Sequence, residues 1–235
     1  MGHELRLFLI ALRLLTRVPV PGWVGVNDEW MRASVRHFPG VGLLIGGLGA
    51  LVLWAAAHLW PALVSVLLCM AFMAWLTRGL HHDGPAIIGA AGLVFVLALK
   101  AAALHGLATR DLLAALAVLP LAQAWSQTAT VVVLRLLPAD DAAQAARPGP
   151  WPGRADGLAL LVALVWAGLA AGSAAFFLPA DALLAAAAAC VAVTLCMARW
   201  LVQRSQDSGA AALGATQPFS ELATCLAVLA VLAAG

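Results

Sequence analysis

Seven apolar runs, at about residues 39–59, 61–78, 86–106, 111–137, 157–178, 181–202 and 219–234, leave only short polar stretches between them. One helical crossing of a bilayer uses about 20 such residues. The pattern therefore predicts an all-α, polytopic membrane bundle of about 6–7 transmembrane helices. The seventh run is short and has no charged flank at its end, so six crossings with an interfacial last segment is the alternative. Pro120, inside the fourth run, is expected to kink that helix.

Composition agrees with the runs. Hydrophobic residues make up 64% of the chain and charged ones 10%, against about 45–50% and about 25% in soluble domains. This excludes an ordinary soluble enzyme and a disordered chain. With a net charge of +2 there is no basic face for nucleic acid. The four cysteines lie in apolar runs without metal-ligand spacing and read as packed thiols.

Residues 4–17 set Arg6, Arg13 and Arg17 among Leu, Phe and Ile. That is too charged to cross but suits an amphipathic helix at the membrane surface. Residues 1–38 thus read as an N-terminal interfacial helix and loop belonging to the mature protein, and 39–235 as one transmembrane domain. With the N-terminus inside, 11 of the 13 basic residues fall on cytoplasmic segments; Arg110 falls outside and Lys100 within the third run. This split predicts a multi-pass protein of the inner (cytoplasmic) membrane with every motif-bearing loop on the cytoplasmic side.

Three such loops carry chemistry. His81, His82 and Asp83 lie between glycines at the end of the second run, where imidazole and carboxylate can position a cation or a phosphate. Asp140 and Asp141 precede a Pro/Gly-rich linker. Arg204 and Asp207 precede a Gly- and Ala-rich turn containing Gly214, which allows close backbone approach. Each of these also reads as a solvated cytoplasmic turn. Glu221 is placed at the start of the last run, near a helix N-terminus, with Ser220 or Phe219 as cap or interfacial anchor. Within the membrane Lys100 reads equally as functional or as snorkelling, and Gln123 and Gln127 share a helix face suited to interhelical hydrogen bonds.

The motifs LLTRVPVP (Leu14–Pro21), RHFPGVGLLIGG (Arg36–Gly47), LTRGLHHDG (Leu76–Gly84) and LGATQPFSELA (Leu213–Ala223) occur in that order. The chain in this respect resembles the cobalamin synthase family, the adenosylcobinamide-GDP ribazoletransferases, over essentially its whole length. The resemblance implies a Mg²⁺-dependent membrane transferase that joins adenosylcobinamide-GDP to α-ribazole or its 5′-phosphate and releases GMP. It further implies His81 and Asp83 as catalytic residues and Arg17, Arg204 and Gly214 as substrate contacts. The metal ligands would be Asp83, Asp140, Asp141 and Asp207, converging with His81 at the cytoplasmic face, and other corrinoid-assembly enzymes would be partners beside membrane lipid.

Two departures stand out. The family pattern HxDGLADxxDG stops here after His81, Asp83 and Gly84, and the chain resumes at Ile88–Gly89 in the manner of a later KDSRIG-like motif. A segment of about 25–30 residues is missing by that motif comparison. In the late motif the family Asp aligns with Ala211. A catalytically impaired relative serving as a membrane scaffold is therefore the second reading. A small transporter is the third, disfavoured because no acidic residue is expected deep in a run.

Overall fold

The computed structural model describes residues 2–25, 27–77, 85–136, 155–203 and 209–234. Every regular element among them is helical. Two short N-terminal helices, α1 (Gly2–Leu15) and α2 (Asp28–Ser34), precede α3 (Phe38–Ala57), α4 (Ala62–Leu76) and α5 (Pro85–Arg110). Then come α6 (Leu112–Leu136), α7 (Gly157–Ala174), α8 (Ala180–Gln203) and α9 (Gly209–Ala234). Polar residues set several starts. The Asn27 side chain accepts from the Trp30 N–H at 2.7 Å, Asp111 from the Leu113 N–H at 2.9 Å, and Asp156 from the Ala159 N–H at 2.6 Å. Each satisfies a donor that the first helical turn leaves open.

Six of these segments are long and apolar enough to cross a membrane, so the chain is a multi-pass membrane protein. The segment that falls short is α4, not the last run. Its 15 residues span about 22 Å, against a hydrocarbon core of about 30 Å. The last run is instead longer than expected. Helix α9 starts at Gly209 and carries Pro218 inside it, because the Ala-rich stretch read as a turn has strong helix propensity.

Helix α6 is the axis of the bundle, with 78% of its most apolar window buried, against 22–44% for the other spanning segments. The outer helices leave Leu51, Phe95, Leu161 and Leu195 exposed, as expected for side chains that meet lipid rather than protein. The α3–α6 seam is the tightest. A Cβ on Gly46 would lie 2.4 Å from the Pro120 Cα, and one on Gly42 would lie 2.6 Å from the Gln123 carbonyl oxygen. Small residues here let two backbones touch. Gly49 makes the same room for Met73 of α4, whereas Gly47 faces open space. Pro120 sits within a continuous α6. Helix α5 is broken at Gly89, whose φ of 74° is a conformation L-residues avoid.

Helix α1 is more than a surface float. It buries Leu7, Ile10, Ala11, Leu12 and Leu15 and is pinned by charge. Glu4 accepts from Arg36 at 2.7 Å and lies 3.0 Å from His37 Nε2, while Trp166 Nε1 donates to His37 Nδ1 at 3.3 Å. Gly40 leaves space for that Trp166 ring, which an added Cβ would approach to 2.6 Å. The RHFPGVG motif thus joins α1, α3, α6 and α7. Glu4→Ala removes both anchors from Arg36 and His37. Because Glu4 is half exposed, the expected cost is about 1–2 kcal/mol, read as a lower melting midpoint and earlier proteolytic cleavage within α1.

Candidate functional site

A Lys and a Glu from distant parts of the chain meet inside the bundle. Lys100 of α5 and Glu221 of α9 form an ion pair, with the two residues 5% and 1% exposed. Glu221 Oε2 takes the ammonium, and Oε1 accepts from Gln217 at 3.1 Å and from the Ser126 hydroxyl at 3.4 Å. Both carboxylate oxygens therefore have partners. Lys100 is not, since its remaining N–H groups have no acceptor among the described residues. A buried ion pair of this kind rarely adds net stability over apolar packing, and ionisable groups at membrane depth are functional candidates by default.

The space beside Lys100 is an open-sided cavity of about 280 Å³ between α4, α5 and α9. Leu67, Met70, Met73 and Leu97 give it apolar walls, with Lys100, Gln217 and Thr77 as its polar contributors. From Leu67 to Thr77 the lining follows α4 for about 15 Å. Thr77 closes the end of α4 by donating to the Met73 carbonyl at 2.9 Å. Arg17 clasps the same end, its Nε donating to the Trp75 carbonyl at 2.7 Å and its backbone N–H to the Leu76 carbonyl at 2.8 Å.

Of the residues expected to form the site, Arg17 is exposed at the cavity's Thr77 end, and Gly214 is buried in α9 rather than in a turn. His81, Asp83, Asp140, Asp141, Arg204 and Asp207 lie outside the described residues, so their expected convergence does too. Among the described residues no three His, Cys, Asp or Glu side chains gather as metal ligands.

The placement of Glu221 corrects the sequence reading twice. It sits mid-helix, not at a helix start, and Ser220 and Phe219 accordingly neither cap nor anchor one. It is also an acidic residue deep among apolar ones, which the sequence reading did not expect. Lys100 does not snorkel. Gln123 and Gln127 are buried against α3, but Gln123 Oε1 and Gln127 Nε2 have no hydrogen-bond partner among the described residues. The missed signal was charge balance: one Lys and one Glu in runs otherwise almost free of charge.

A bundle of membrane-length apolar helices around a buried ion pair defines an integral membrane protein. The chain belongs to the cobalamin-5-phosphate synthase family, whose profile matches residues 7–86 and 87–230. It is 43% identical to an adenosylcobinamide-GDP ribazoletransferase of Leptothrix cholodnii, covering 97% of this chain and 96% of that protein. Shorter matches, 47% identical over 81 residues, join 34% of this chain to 31% of proteins of the same name from a Shewanella species and from Shewanella putrefaciens. No solved structure matches the chain.

The family match splits between residues 86 and 87, where the motif comparison puts the missing segment. The Leptothrix alignment has 255 positions, but 97% of this 235-residue chain fills only about 228. About 27 positions therefore hold residues in the relative and none here. The backbone break at Gly89 falls three residues beyond the split.

Proposed function

We propose that the chain is a transferase that joins adenosylcobinamide-GDP to α-ribazole or its 5′-phosphate. A ribazole hydroxyl attacks the phosphorus attached to cobinamide, the bond to the GMP oxygen breaks, and a phosphodiester remains. The observation that carries this reading is the full-length identity with a relative named for that reaction. The buried Lys100–Glu221 pair beside a cavity supports it as an internal site that packing alone does not require.

Mg²⁺ suits this chemistry by neutralising the diphosphate and the departing GMP. Asp83, Asp140, Asp141 and Asp207 are the carboxylates available to hold it, with His81 beside them. Arg17 and Arg204 are the cations available to the phosphates. The positive-inside arithmetic favours the cytoplasmic membrane with these loops inside.

Purified protein supplied with adenosylcobinamide-GDP, α-ribazole and Mg²⁺ is expected to release GMP. Asp83→Ala is expected to reduce the rate about 100-fold or more, the scale for losing one group that stabilises transition-state charge. Equal background release from both proteins would overturn the transferase reading. It would favour a membrane scaffold for corrinoid enzymes, the reading to which the shortened Asp-rich region points.

A further inference from the structure

The cavity between α4, α5 and α9 discriminates by charge. Lys100, one of its polar lining residues, is already neutralised by Glu221. A phosphate added beside the pair would leave uncompensated negative charge in a low-dielectric site, which is costly. A neutral hydrogen-bond acceptor meets no such cost, and it satisfies the N–H groups of Lys100 that have no acceptor among the described residues. The walls are apolar, and Met70 among them has a thioether side chain of the kind that adapts to and attracts aromatic rings. The volume of about 280 Å³ is at the foot of the range of about 300–1,000 Å³ for ligand pockets. It matches one bicyclic ring system.

We infer that this cavity receives the bicyclic heteroaromatic base of the ribazole substrate, with Lys100 and Gln217 as donors to its ring nitrogen. The inference rests on the transferase reading for the identity of the substrate and adds where its base is held. Base recognition is thereby separated from phosphate recognition: the base goes into the apolar cavity, and the ribose is left at the Thr77 end. Glu221 acts through Lys100 as a positioning residue, holding the ammonium in place and cancelling its charge.

The test is equilibrium binding of radiolabelled α-ribazole to the full chain in detergent, which does not depend on turnover. Ala74 lines the cavity from α4 and is exposed on its outer side, so Ala74→Trp fills the space without touching the ion pair. It is expected to weaken α-ribazole and its 5′-phosphate about equally, by tenfold or more, and to change adenosylcobinamide-GDP binding less than twofold. A second comparison uses the indole ribonucleoside, a carbon isostere without the ring-nitrogen acceptor. The native protein is expected to prefer α-ribazole about tenfold, the scale of one hydrogen bond. The variant carrying both Lys100→Met and Glu221→Gln is expected to lose that preference while eluting as the native protein does.

Unchanged α-ribazole binding in Ala74→Trp, or no binding by the native protein, would overturn the inference. So would loss of co-purifying phospholipid from Ala74→Trp without any effect on α-ribazole, which would make the cavity a lipid site. A protein that binds α-ribazole through this cavity but releases no GMP would sink the transferase reading and leave the base site standing.

Discussion

Glu221→Leu is expected to destabilise the bundle by about 3–5 kcal/mol, the scale for stranding one partner of a buried ion pair. The magnitude follows from where Lys100 sits. Lys100 is 5% exposed and its ammonium is held by Glu221 alone among the described residues, so losing the carboxylate leaves a cation inside the protein. Gln217 loses its acceptor in the same step, whereas the Ser126 hydroxyl keeps the Gln123 carbonyl at 2.9 Å. The measurement is reversible unfolding in mixed micelles. Pairing Glu221→Leu with Lys100→Met is expected to recover most of the loss, because an apolar pair of similar volume replaces the charges without stranding either. A double variant no more stable than the single one would show that the pair is not the cause.

Gly46→Leu is the second large effect. A Cβ at this position meets the backbone of Pro120 and the carbonyl of Leu119 at 2.4–2.6 Å, and backbone on both sides cannot rotate away. The α3–α6 seam must open, at a cost above the usual range of about 1–3 kcal/mol for overpacking. Folded protein recovered from membranes is expected to fall severalfold. Gly47→Leu is the control one residue along, where nothing lies within 4 Å, and it should express as the native chain does.

These two glycines show what the sequence held and what it withheld. Gly42, Gly46, Gly47 and Gly49 in the first run are all small residues suited to close helix packing, but spacing does not separate Gly46, which meets Pro120, from Gly47, which has nothing within 4 Å. The helix order was plain in the apolar runs, since long runs in a chain with 10% charge have few other solutions. The start of α9 was not plain. Pro218 and the polar residues around it resemble a helix start, yet the helix continues through them to Gly209, supported by its packing against α5, α6 and α8. That single misplacement hid Glu221 and with it the ion pair. The motif RHFPGVG stood out as a functional signature, but its described contacts are those of a joint: Glu4 to Arg36, Trp166 to His37, and Gly40 beneath the Trp166 ring.

The ion pair also has a history in time. Lys100 and Glu221 are separated by 121 residues, and chains are made at about 5–20 residues per second. Lys100 therefore enters the membrane about 6–24 seconds before its partner exists. During that interval α5 carries an ammonium that disfavours insertion by about 2.5–3.5 kcal/mol near a helix centre. The helix must wait near water, beside the translocation machinery or against half-formed neighbours until α9 arrives. Glu221, on a helix made well after α5, makes the arrival of α9 the event that lets the earlier helix settle.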